Sequence, residues 1–219
     1  MQTGEWIDFV ITETESALAL FYSYTAFQHL LSDKTAATAA NKNPDFWMTH
    51  SAALQQSLFL YLGRLSDDSK DAKSFPDFTT HCITHIQDFS RSAFMRRRPN
   101  ILNLNPRFLD ASATPSKSDL SKLFKLASPH NSYLRGECKT IRSEVFAHAI
   151  LTKEHEYSHL FKNVTLDRIE RALLVLWSIS KHLWESFHNA RTITPTVLEY
   201  TEKEVIYEST KQVLIQSAV

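Results

Sequence analysis

The chain has 219 residues, 43% of them apolar and 22% charged, the proportions of an ordinary globular protein with one domain or one domain and an extension. Lys+Arg and Asp+Glu number 24 each, so bulk charge excludes a strongly basic polyanion binder and leaves any nucleic-acid surface to local clustering. With only 3 Gly and 7 Pro, a Gly-rich phosphate loop is all but excluded, and long helices are favoured over short strands joined by tight turns.

Met1 to Trp6 shows no basic region followed by an apolar run, and no stretch has the roughly 18–20 apolar residues that span a bilayer. The expected compartment is the cytoplasm, with no membrane partner. Cys82 and Cys138 fit no metal or redox spacing and read as buried reduced thiols. The 10 His matter because imidazole titrates near neutrality and serves in acid/base work.

Residues 5–32 read as a first helix, with Ala17, Leu20, Phe21, Tyr24, Phe27 and Leu31 along one face. Lys34 to Asn43 reads as a connection. Asn43-Pro44-Asp45 starts a second helix with a cap, a proline where no donor is needed and an early acid. It runs to about Leu65, through Trp47, Leu54, Leu58, Tyr61 and Leu62. Gly63 within it reads as tolerance of a glycine near a helix end sooner than as a close helix–helix approach.

Ser66 to Ser74 is a polar loop. A third helix is expected from Pro76 to about Phe94, and Arg96-Arg97-Arg98-Pro99 follows. The three arginines are candidate phosphate contacts, or equally a solvated helix end complementing the dipole. Asn100 to Ser118 reads as a long loop. Ser118-Asp119 caps a short helix through Leu120, Leu123, Phe124 and Ala127 that Pro129 ends. A central helix from about Ser132 to Ile150 comes next. Thr165 caps the last strong helix, with Leu166, Ile169, Leu173, Leu176, Trp177, Ser180, Trp184 and Phe187 on one face. Thr192 to Val219 is ambiguous: Val197 to Tyr200 and Val205 to Tyr207 suit a strand, while the Glu/Lys content suits a helix.

The central helix carries the chemistry. At about 100° per residue, Leu134, Cys138, Ile141, Val145 and Ala149 form a core stripe about 80° wide. Arg135 and Arg142 border one side of it; Glu137, Glu144 and His148 border the other. Arg142 and His148 are then about 120° apart and roughly 9 Å apart along the axis. A regular helix does not bring them to one small atom. Either the arginine reaches across, or the helix is irregular, or a second copy of the helix completes the site. Glu144, one turn before His148, can hold its imidazole.

The run Arg142-Ser143-Glu144-Val145-Phe146-Ala147-His148 resembles the arginine-x4–6-histidine motif of the HEPN superfamily, in particular its AbiU-type abortive-infection branch. Leu58 to Asp67 resembles the end of that branch's preceding core helix, and the resemblance covers residues 5–190. It implies an all-α, HEPN-like bundle of about five to six helices over residues 1–191 that dimerises through its motif helices, with residues 192–219 as a C-terminal appendage. It further implies a metal-independent endoribonuclease with no cofactor, acting on RNA as the toxin or antiphage effector of a defence or toxin–antitoxin system, with an antitoxin or other regulatory protein as a further partner. Arg142 and His148 would be catalytic and Ser143 and Glu144 supporting. Arg96, Arg97, Arg98, Arg135 and Lys139 would meet RNA phosphates. Ser143 stands where active members commonly carry Asn, Asp or His, which leaves a non-catalytic dimerisation and RNA- or partner-binding module as the alternative.

His155-Glu156-Tyr157-Ser158-His159 matches the H-E-x-x-H pattern in which two histidines hold zinc and the glutamate activates water. Lys153 and Glu154 just before it, and a helix that ends almost at once after it, count against a zinc peptidase.

Overall fold

Helix α1 (Thr3–Leu30) is the spine of the fold. The computed structural model describes residues 2–69, 72–100, 112–147 and 161–216, and among these residues the regular structure is helical throughout. α1 is enclosed by α3 (Pro44–Leu65), α4 (Phe75–Thr84), α7 (Leu166–Asn189) and α8 (Glu202–Gln216). That explains why it buries residues around much of its circumference, Ile7, Val10, Ala17, Leu18, Phe21 and Phe27 among them. Thr14 is fully buried there and gives its hydroxyl proton back to the Val10 carbonyl, 2.8 Å away.

Four details differ from the sequence reading. Residues 34–43 are not a plain connection: Lys34–Ala40 is helix α2, capped by Asp33, whose carboxylate accepts the Ala36 amide at 2.9 Å. Asn43 precedes α3 as expected, and Pro44 is its first residue, but the Asn43 side chain makes no capping hydrogen bond. The third helix is broken. α4 ends at Thr84, a 3-10 turn covers Ile86–Phe89, and Ser90 caps α5 (Arg91–Arg97) by accepting from Ala93 N at 3.2 Å. Apolar spacing persists across that break because the 3-10 turn keeps Phe89 pointed into the core.

The fourth difference concerns Pro129. It does not end the helix: α6 (Lys117–Tyr133), capped by Ser116 and not Ser118, runs through it. The polypeptide then continues helically as π-helix over Leu134–Cys138, a single α turn over Lys139–Ile141, and π-helix again over Arg142–Ala147. The expected short helix and the described part of the expected central helix are thus one rod. Leu120, Leu123, Leu134, Cys138 and Ile141 are buried along it, as the stripe predicts.

α7 begins at its expected cap, with Thr165 Oγ1 accepting the Arg168 amide at 3.3 Å. The stretch expected as an appendage runs extended along α7, where Ser178 Oγ accepts the Leu198 amide at 2.8 Å. It then forms α8, which lies against α1 and α2. Leu214 of α8 is fully buried in a second, smaller apolar cluster with Phe27, Leu30, Ala36 and Trp47. Among the described residues no helix is long and apolar enough to cross a membrane.

Candidate active site

The site is built where the motif segment, residues 134–147, packs against the C-terminal end of α3. On that end Leu58, Phe59, Leu62 and Leu65 face the core, which leaves Gly63 turned toward the segment. A Cβ at Gly63 would overlap Nη1, Cδ and Cζ of Arg142. The absence of a side chain at Gly63 is therefore what lets the arginine lie across α3. The close approach is real, contrary to the simpler reading of this glycine, although its partner is a side chain and not a helix backbone.

Just beyond α3, Asp67 and Asp68 face the cations of the segment. Asp68 takes Lys139 Nζ at 3.1 Å and Arg135 Nη1 at 3.8 Å. The Lys139 hydrogen bond holds its carboxyl below the usual carboxylate range. Asp67 is lowered chiefly by the Ser69 amide, with Arg142 and Lys139 adding their charge. Arg135, Lys139 and Arg142 thus form one cationic strip with two carboxylates along one flank. On the opposite border Glu137 meets Arg168 at 3.5 Å, and that guanidinium lies 4.0 Å over the Tyr133 ring. Arg64, beside Gly63, is committed elsewhere: it forms a two-pronged bond to Glu13 at 2.8 and 3.0 Å.

The helix here is irregular, which was one of the three ways to reconcile Arg142 and His148. The π winding slips the backbone ladder from i+4 to i+5. Hydroxyls compete for the carbonyls of that ladder: Thr140 Oγ1 bonds Gly136 O at 3.1 Å, and Ser143 Oγ bonds Lys139 O at 3.1 Å. The 100° step of a regular helix does not apply across this segment, and π-bulges in helices frequently mark functional sites.

A family match spans residues 3–206, with the description AbiU2 in the HEPN group. The chain belongs to the HEPN AbiU2 family. No curated protein and no solved structure matches it. The match runs past residue 190, where the resemblance was expected to stop, and reaches α8. Residues 192–206 are therefore inside the family's common span.

Within this HEPN chain the expected residues fall into three groups. Arg142, Lys139 and Arg135 come together with Asp67 and Asp68. Ser143 is half-buried with its hydroxyl turned back onto its own helix, and Glu144 is exposed. Arg97 stands in a different setting. Its guanidinium lies 3.8 Å over the Phe187 ring and donates to the carbonyls of Phe187 and Asp88, 2.8 Å each, clamping α5 to the end of α7. Arg96 and Arg98 beside it are exposed. His148 and the alternative zinc set His155, Glu156 and His159 lie outside the described residues. Sequence reasoning missed Asp67 and Asp68, which read as loop polarity, and the role of Gly63. The available signal was a glycine inside an otherwise apolar helix in a chain that has only 3.

Proposed function

We propose that this HEPN protein is a metal-independent endoribonuclease, active as a homodimer and serving as the toxic or antiphage effector of a defence or toxin–antitoxin system. The observation that supports the reading most is the seat of Arg142: a helical glycine is given over to it, with Lys139 and Arg135 beside it. A permanently charged, forked guanidinium suits the non-bridging oxygens of a phosphate whose charge rises during in-line attack. The ribose 2′-oxygen bonds to the adjacent phosphorus as its proton passes to His148, and the P–O5′ bond breaks as a second acid returns a proton to the leaving oxygen. The products are a 2′,3′-cyclic phosphate and a 5′-hydroxyl. In a homodimer the partner's motif supplies the second acid.

A second reading, a non-catalytic RNA- or partner-binding module, draws support from Ser143, whose hydroxyl serves its own helix and not the cleft. One experiment separates the two. Purified protein and its Arg142→Ala and His148→Ala variants are incubated with total RNA in excess EDTA. Cleavage by the parent alone, leaving cyclic-phosphate ends, is the expected result. Cleavage that disappears in EDTA overturns the metal-independent mechanism. Equal cleavage by all three proteins, or by none, overturns the assignment of these residues as catalytic.

A further inference from the structure

The cationic strip does not stop at Arg135. Ser128, Asn131 and Ser132 lie just before Arg135 in the chain, and Lys139 and Arg142 follow along the irregular segment. Shared partners link the cations: Asp68 joins Arg135 to Lys139, and Asp67 senses both Lys139 and Arg142. At its far end the strip opens into a pocket of about 230 Å³ between α4, α6 and the end of α3, lined by Ser66, Thr79, Phe124, Ser128, Asn131 and Arg135 among others. That is below the roughly 300–1,000 Å³ of sites that hold drug-sized ligands, so it suits a single heterocycle.

The lining is rich in acceptors. Ser66 Oγ gives its proton to Leu62 O and Thr79 Oγ1 gives its own to Pro76 O, 2.8 Å each, which leaves both hydroxyls with lone pairs to offer. Asn131 Oδ1 is buried without a hydrogen-bond partner among the described residues. A donor in the pocket reaches this oxygen only when the Asn131 amide rotates toward it, which removes the cost of its missing hydrogen bond. Phe124 is half-buried and supplies an aromatic surface, and Arg135 stands at the edge toward the strip.

We infer that this pocket is a base-reading subsite for single-stranded RNA, taking a base with an amine at its 6- or 4-position (adenine N6 or cytosine N4) in preference to uracil, which carries a carbonyl there. The inference rests on the ribonuclease reading for the identity of the polymer. An amide side chain pairs naturally with the N6/N7 edge of adenine, and unstacked bases are commonly held against aromatic rings. Arg135 and Lys139 then meet the phosphates between the pocket and Arg142. Asn131 and Arg142 are eleven residues apart along a continuous helical segment. The base that is read is therefore displaced from the cleaved bond.

The test is equilibrium binding of the full chain to 2′-O-methyl octamers of adenine, cytosine and uracil, whose blocked hydroxyls cannot attack. The adenine and cytosine octamers are expected to bind about ten-fold more tightly than the uracil octamer. Asn131→Leu, checked for folding by circular dichroism, and independently Thr79→Val, bring the three octamers within about two-fold of each other. Equal binding of all octamers by the parent, no binding of any, or a preference retained in both variants overturns the subsite. The cleavage experiment above fails separately: a preference in binding without cleavage leaves the subsite standing and removes the nuclease, and cleavage without a preference does the reverse.

Discussion

At the scale of single residues, Gly63 is the position on which the site turns. Gly63→Ala raises helix propensity by about 0.5–1 kcal/mol, but the new methyl takes the space of the Arg142 side chain. The expected outcome is a thermal midpoint equal to or above the parent's together with a fall in RNA cleavage of about 100-fold, the scale of a misplaced catalytic group. Full cleavage in this variant would mean that the arginine needs no such seat. Histidines set the response to acid. Burial holds His81, His130 and His188 below the ordinary histidine range; the charge of His85 adds to this at His81 and that of Arg171 at His130. His81 is further fixed by Thr3 Oγ1 at 3.0 Å and by the His85 ring stacked at 4.1 Å. The unfolded chain therefore takes up these protons first as pH drops below about 6.5, so stability is complete above that value and is lost as pH falls through the lower folded-state values. Thermal melts are expected to show the midpoint declining between pH 7 and 5, ahead of the carboxylates held low at Asp67, Asp68 and Asp119. A flat midpoint over that range would contradict this account.

At the scale of elements, the rod through residues 117–147 combines an interior proline with two π-helical stretches. Pro129 is exposed, lacks a donor and crowds the carbonyl four residues back. Pro129→Ala is expected to stabilise the chain by about 1–3 kcal/mol, raising the midpoint by roughly 2–12 °C. A drop would show that the surrounding packing has come to depend on the proline. The sequence placed a helix end here because proline usually marks one. The burial of Leu123 and Ala127 before it, and of Tyr133 and Leu134 after it, keeps the rod continuous, since tertiary packing readily outweighs local propensity.

For the whole molecule, the open matter is what holds the C-terminal residues to the bundle. Tyr200 stacks on Tyr22 at 5.6 Å and meets the Trp177 ring edge-on at 5.2 Å, and Leu214 closes the second cluster. Leu214→Ala is expected to cost about 2–3 kcal/mol, lowering the midpoint by roughly 4–12 °C. A change within one degree would mark α8 as a loosely held addition. The family match through residue 206 agrees with an integral role for the start of this helix.

By itself the sequence determined the all-helical class, the stripe of Leu134, Cys138 and Ile141, the Thr165 cap and the arginine motif, because each is a local regularity. Apolar spacing follows from the pitch of one helix, and a cap from four consecutive residues. Tertiary structure alone decided that Gly63 is the seat of Arg142, that Asp67 and Asp68 flank the cationic strip, and that Arg97 is a clamp on Phe187. It also decided that residues 202–216 are helix packed on α1 and not strand. Each of these depends on which distant surface a residue meets, and periodicity along one segment carries no information about the partner across the interface.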